Sequence, residues 1–292
     1  MLQKAHYRLN IKVKDDKFSV DDIAQYNLSL QVSFDFLRIC ITDTAQNRCL
    51  LIEDYQIGFV HDTSQLIEQL NLIFEDHHLL RAGFWKTIKV SMKGKGFSLI
   101  PNSLFDKEQA RKYLEINADV LPDETIYYYK HRSTEAVNVF AAEKKLVDWL
   151  AQLYPNKKIE LVHHTSPFIE GAIINNPNEQ TSVHIDVEAG YFTVVVKTGN
   201  NLQLCNTYRF NSTEDFVYFT AYIYEQLKLS QENTPITLWG EISHNSPISA
   251  KLGKYIRNVF FGKKPSSLKF SYHFDELLDH RFFDLYSMHF CD

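Results

Sequence analysis

Apolar positions in this chain recur in two rhythms, and the rhythms follow a fixed order. Residues 28–41 (LSLQVSFDFLRICI) are rich in β-branched and aromatic side chains, with a break at 34–37. Thr44-Ala45-Gln46-Asn47 reads as a turn, and residues 48–57 (RCLLIEDYQI) return as another strand. Three consecutive antiparallel strands are predicted. Asp62, with Gln65 three residues on, has the form of a capping box. Behind it Leu66, Ile67, Leu70, Ile73 and Phe74 recur at helical spacing. A short strand follows at 87–92 (TIKVSM), and a helix is predicted over 103–116.

The same order returns later. Strands are predicted at 181–187, 191–196 and 202–210, joined by the acidic turn Glu188-Ala189-Gly190 and the strong turn signal Thr198-Gly199-Asn200-Asn201. Asn211 with Glu214 gives a second capping-box pattern, and Phe216, Phe219, Ile223, Tyr224 and Leu227 mark one helix face. A strand at 235–239 and a helix at 249–260 complete the series. The caps Asp62 and Asn211 lie 149 residues apart, as do Ile88 and Thr237, while Ile41 and Val196 lie 155 apart. This is a repeat of pattern rather than of sequence.

Between the repeats the pattern predicts strands at 124–130 and 136–141, and a helix at 142–154 stopped by Pro155-Asn156. A strand at 158–163 and a short helix near 167–174 follow. Asn175-Asn176-Pro177-Asn178 is the best linker. The chain closes with a strand at 268–274 and an aromatic-rich helix at 275–290. That helix docks on the body of the protein or, if exposed, offers a partner-binding patch. Two domains are expected, residues 1–175 and 176–292.

Composition narrows the function classes. With 31 basic and 36 acidic residues the net charge is −5, so no basic field exists to draw nucleic acid. No apolar run approaches the ~20 residues of a membrane helix, and residues 1–16 hold no apolar signal core. Cys40, Cys49, Cys205 and Cys291 form no C-x-x-C pair, which suits a reducing compartment. A cytoplasmic location without membrane insertion is expected. Only 10 of 292 residues are glycine, whereas sites that cradle phosphate on backbone amides normally use several.

Three antiparallel strands followed by alternating helices and strands, present twice, resemble the paired ribonuclease H-like halves of the actin-like ATPases. Actin, sugar kinases, Hsp70 and the bacterial pilus-assembly and cell-division actin relatives share that plan. The chain also resembles a bacterial family of unknown function assigned to this superfamily, through LSLQVSFDF at 28–36, LIPNSLF at 99–105, TEAVNVFAAEKKLVDWLAQLYP at 134–155 and NSTEDFVYFTAYIYEQL at 211–227. The resemblance implies an α/β fold of two ribonuclease H-like halves, with mixed sheets flanked by helices. It also implies three nucleotide loops: a Gly- and Ser/Thr-rich turn in each half, with an Asp for Mg²⁺ and the attacking water, and a Gly-Gly pair near the adenosine.

Carried onto this chain, the loops are Ser33-Phe34-Asp35-Phe36-Leu37-Arg38, Asp186-Val187-Glu188-Ala189-Gly190 and Trp239-Gly240-Glu241. If ATP binds, Asp35, Asp186, Glu188, Gly190 and Gly240 are the residues that meet it. The first loop has no glycine. Glu188 places a negative charge where a phosphate belongs, and Glu241 replaces the second glycine of the third loop. The implied function is a non-catalytic, protein-binding scaffold with no resident cofactor and an unidentified protein partner. The alternative is an ATP-binding protein or slow ATPase using Mg-ATP.

Other constellations point to less. Asp186 is either a surviving Mg²⁺ ligand or an acid that hydrogen-bonds its own turn. A two-metal cluster of Asp35, Asp186 and Glu188 is not expected, since the two aspartates belong to opposite halves. Lys93-Gly94-Lys95-Gly96 lacks phosphate-loop spacing and reads as a solvated turn. The pairs His77-His78 and His163-His164 would each point to two faces and chelate poorly. No nucleophile elbow or triad spacing is present. Tyr127-Tyr128-Tyr129 reads as a strand buried between subdomains.

Overall fold

The computed structural model describes residues 6–94, 96–178 and 180–291. In chain order the strands are β1 (Tyr7–Lys14), β2 (Tyr26–Val32), β3 (Phe36–Asp43), β4 (Arg48–Ile57), β5 (Thr87–Met92), β6 (Phe97–Pro101), β7 (Glu124–Lys130), β8 (Ala136–Glu143), β9 (Ile159–His163), β10 (Thr181–Glu188), β11 (Tyr191–Thr198), β12 (Asn201–Arg209), β13 (Ile236–Gly240) and β14 (Val259–Phe261). The helices are α1 (Thr63–Asp76), α2 (Ala110–Glu115), α3 (Lys144–Leu153), α4 (Thr165–Ile174), α5 (Thr213–Gln226), α6 (Pro247–Leu252) and α7 (Phe283–Ser287).

The first sheet runs β1-β4-β3-β2-β5-β9 and the second runs β12-β11-β10-β13-β14. In each, a three-strand antiparallel meander gains parallel strands beyond its first member: β5 beside β2, and β13 beside β10. These mixed sheets with flanking helices form the two ribonuclease H-like halves. A separate three-stranded sheet, β6-β8-β7, projects from the first half.

Strands β2, β3 and β5 are buried on both faces of the sheet, so the polar residues that alternate with their apolar ones, Asn27, Ser29, Gln31, Lys89 and Ser91 among them, are buried as well. On one face Leu28, Leu30 and Ile39 pack with Leu70 of α1 and Leu150 of α3. On the other, Cys40, Cys49 and Ile52 meet Phe274, Leu285, Tyr286 and Met288 from the chain's end. The C-terminal segment thus returns from the second half to cover the first. Helix α4 lies between the sheets, and Phe168, Ile169 and Ala172 pack with Val195, Trp239 and Phe283.

The predicted order of elements is present, with several local differences. The second helix cap is Ser212 with Asp215, a reciprocal capping box one residue beyond the Asn211–Glu214 expectation. Residues 103–116 form 3₁₀ turns and the short α2, since Asp106 starts a new turn within the run. Helix α6 stops before Gly253, and the predicted helical tail instead supplies β14. Residues 268–274 make one isolated bridge, Arg48 to Lys269, and a 3₁₀ turn rather than a strand. The closing helix is broken because Phe282 sits in the left-handed region, φ 62°. What remains is docked: Phe282, Phe283, Leu285 and Tyr286 are buried, while Leu278 is exposed. Of the tyrosine run only Tyr129 is buried, and Tyr128 packs in the open against Phe105. No helix among the described residues is long and apolar enough to cross a membrane.

Candidate functional site

The register of the two leading hairpins defines which residues correspond across the halves. Val32 pairs Leu37 in β2–β3, and Val187 pairs Phe192 in β10–β11, with 155 residues between the members of each equivalent pair. Asp186 therefore corresponds to Gln31, and Glu188 to Ser33. Asp35 corresponds to Gly190 and lies exposed on the hairpin turn, where its N–H donates to Ser33 Oγ at 3.3 Å. Spacing alone left that alignment open; hydrogen-bond register resolves it. The first half carries an amide where the second carries its buried acid.

Gln31 and Asp186 lie at inward-facing ends of β2 and β10, and Asp284 of α7 enters between them. Gln31 Nε2 donates to Asp284 Oδ2. Asp186, Glu188 and Asp284 bring carboxylate oxygens within 4.8 Å of one another, all three buried. This cluster contains two of the anticipated acids, replaces Asp35 with Asp284, and joins residues 98 positions apart. No local spacing signals Asp284.

Two cations answer these acids. Lys93, at the end of β5, forms an ion pair with Glu188 and lies 3.8 Å over the Tyr191 ring. It is not the solvated turn residue its glycine neighbours imply, because β5 aims it into the interior; Lys95 lies outside the described residues. Burial pulls the Lys93 amine down to about 7, against the opposing pull of Asp186 and Asp284. Burial, reinforced by Asp284, pushes the Asp186 carboxyl well above its usual range.

Arg38 of β3 is the second cation. Its Nε donates to Asp54 Oδ1 at 3.2 Å, its Nη1 lies 3.7 Å from Glu188 Oε1, and its Nη2 bonds Glu241 Oε1. One guanidinium from the first half thus holds the second and third loops of the other half. Arg281 adds a contact to Asp54 Oδ2 at 3.2 Å. Asp186 is inside β10 rather than past its end, paired with Thr193 and Trp239.

Gly240 and Gly190 both adopt left-handed backbone, φ 82° and 80°. Around Gly190 nothing crowds a Cβ. At Gly240 a Cβ would stand 2.3 Å from Val187 O and 2.5 Å from Asp186 Oδ1, so glycine there serves the close approach of the chain's own strand end.

Beside this ion-pair network lies an open cleft of about 950 Å³. Asp35, Lys93, His163, His164 and Tyr191 line its floor. The two imidazoles pack at 4.2 Å between ring centroids, contrary to the expectation of opposite faces. His163 ends β9, and His164 already has helical backbone, φ −55° and ψ −26°, so strand alternation stops between them. His77 and His78 do split: His77 is buried against Glu53 at 2.9 Å and His78 is exposed.

Two ribonuclease H-like halves facing each other across such a site define a protein of actin-like ATPase fold. Residues 15–259 match the family described as a protein of unknown function (DUF3822), and the chain belongs to that family. Among solved structures it is similar to a Bacteroides thetaiotaomicron protein with actin-like ATPase fold and unknown function. That match has a TM-score of 0.76 and 22% identity, and covers 94% of this chain and 99% of that one. It is also similar to a chain of the PilM-PilN type IV pilus biogenesis complex, at TM-score 0.60 and 10% identity, covering 90% and 97%. No curated protein matches the sequence.

Proposed function

We propose that this chain is a non-catalytic actin-like scaffold that works in the cytoplasm by binding another protein. The supporting observation is the Arg38 bridge to Glu188 and Glu241. A nucleotide phosphate entering there would compete for Arg38 and Lys93 and leave bare carboxylates beside it. Like charges about 4 Å apart repel by ~4 kcal/mol at an effective dielectric of 20. A metal would need to displace the Lys93 ammonium from its carboxylates. The residues therefore fit Mg-ATP poorly, and no chemical step through it follows. The competing reading, an ATP-binding protein or slow ATPase, draws on the open Gly190 turn and on Asp186. Similarity to a chain solved as a PilM-PilN complex supports protein partnering. We place the boundary between the halves at 175/176. Isothermal titration with millimolar Mg-ATP tests the scaffold reading: it expects no saturable heat, and Mg²⁺-dependent binding abolished by Asp186→Ala would overturn it.

A further inference from the structure

The cleft is walled by two strands that each have a free edge. Strand β6 is the outer member of the small sheet, and β12 is the outer member of the second half's sheet. Leu99 and Ile100 of β6 line one wall, and Leu202 and Leu204 of β12 line the other.

Three contacts fix the relative direction of these walls. At the start of β6, the Phe97 ring lies 4.9 Å from His163. At its end Pro101 pairs Ala136, beside Thr134 and Glu135. The start of β12 lies at that same end, since Leu202 N–H donates to Thr134 Oγ1 at 3.3 Å. Its far end, Arg209, pairs Tyr191, which lies under Lys93. The two edges therefore run antiparallel across the cleft.

Their backbone groups are available on the cleft side. Phe210 N–H donates to Gly190 O in the ladder with β11. With period two, the amides of Cys205 and Thr207 face away from that ladder. Thr207 N–H meets only the Oδ1 of its neighbour Asn206, at 2.9 Å. On the cleft floor, His163 is fully buried and His164 is 9% exposed, and burial pulls both imidazoles down into their neutral form. Exposed Arg209 makes no ion pair among the described residues and marks the His163–His164 end. Glu135 marks the opposite end.

We propose that this cleft takes an extended segment of a partner protein, which adds a strand between β6 and β12. Its acidic residue meets Arg209, and its basic residue meets Glu135. The five residues of β6 give a paired length of ~17 Å at about 3.3 Å per residue. Edge pairing supplies backbone hydrogen bonds, and the Leu99, Leu202 and Leu204 side chains receive alternate side chains of the segment. The inference rests on the scaffold reading and names its site and the chemistry of its partner.

The probe is a displayed library of random decapeptides selected on the full-length protein, with the enriched sequences then synthesised. Enriched peptides are expected to carry an acid and a base separated along an extended apolar pattern, and to slow amide exchange in β6 and β12. Thr207→Pro removes an edge amide that lies outside the ladder, a position where proline is tolerated. It should weaken these peptides about tenfold or more, whereas Thr207→Val, which loses the same hydroxyl contact to Thr193 Oγ1 at 3.1 Å but keeps the amide, should not. Arg209→Gln should weaken acid-bearing peptides and leave their Asp→Asn or Glu→Gln versions unaffected, which keeps the test decisive if Thr207→Pro misfolds. No enrichment, equal binding to the variants, or protection elsewhere on the molecule would each overturn the proposal. Saturable Mg-ATP binding alongside peptide binding would sink the scaffold reading alone. An ATP-inert protein with no peptide at the edges would sink the cleft alone.

Discussion

Arg38 is buried and faces three carboxylates from three different segments, Asp54, Glu188 and Glu241. Arg38→Met keeps much of the volume and removes the charge, leaving Asp54 and Glu188 buried without it. Losing one partner of a buried ion pair typically costs about 3–5 kcal/mol. Urea unfolding should show a loss of that order, whereas Glu241→Gln, at a partly exposed site, should cost under about 1 kcal/mol. Asp186 gives a pH signature. Its folded pKa lies above the ordinary 3.8, so the carboxyl contributes stability that is present below pH 3.8 and lost as pH rises through the folded value. Asp186→Asn mimics the protonated form. Thermal melts between pH 4 and 6.5, below the titration of Lys93 near 7, should show the variant gaining on the parent protein as pH rises; parallel profiles would contradict the assignment. At this scale the sequence was only partly legible. Asp186, Glu188 and Gly240 stood out because the resemblance to the actin-like ATPases marks the loops they occupy. Gln31, Lys93 and Asp284 did not, since hairpin register, strand direction and a contact from the chain's end bring them in.

Helix α4 and helix α7 meet where one glycine permits it. A Cβ on Gly171 would stand 2.1 Å from Ser287 Oγ and 2.9 Å from Phe283 Cε1. Gly171→Ala therefore forces the two helices apart, and overpacking of this kind costs about 1–3 kcal/mol. Gly83→Ala, with nothing within 4 Å of its Cβ, should leave the unfolding midpoint unchanged. A Gly171→Ala protein as stable as the Gly83→Ala control would show that α7 is not held as described. The central strands were readable because β-branched and aromatic residues recur at period two between clear turn signals, as in β2 (YNLSLQV) and β5 (TIKVSM). Edge strands β1 and β6 were missed: their residues are largely exposed or half-buried, and β1, although it alternates apolar and polar residues (YRLNIKVK), stands ahead of the repeated order of elements. Helices were overextended at 103–116, 249–260 and 275–290: in the first and last the helical turns begin only after Asp106 and the left-handed Phe282, and in the second the helix stops at Gly253.

Across the whole molecule, the halves are tied by buried α4, by the returning C-terminal segment and by the guanidinium of Arg38. The two-lobed plan was legible from the repeated order of elements. The way its cleft is filled was not, because the filling groups come from β3, β5 and α7 and meet only when both halves close. The proposed function requires that the chain's own ion pairs take the place of Mg-ATP. Thermal unfolding with and without millimolar Mg²⁺-ATP, with EDTA as control, tests it most directly. A ligand at a hundredfold excess over its Kd would add about 2.7 kcal/mol to the stability of the folded state, moving the midpoint by several degrees or more for a protein of this size. An unchanged midpoint is expected. A Mg²⁺-dependent rise of that size, abolished by Asp186→Ala, would contradict it.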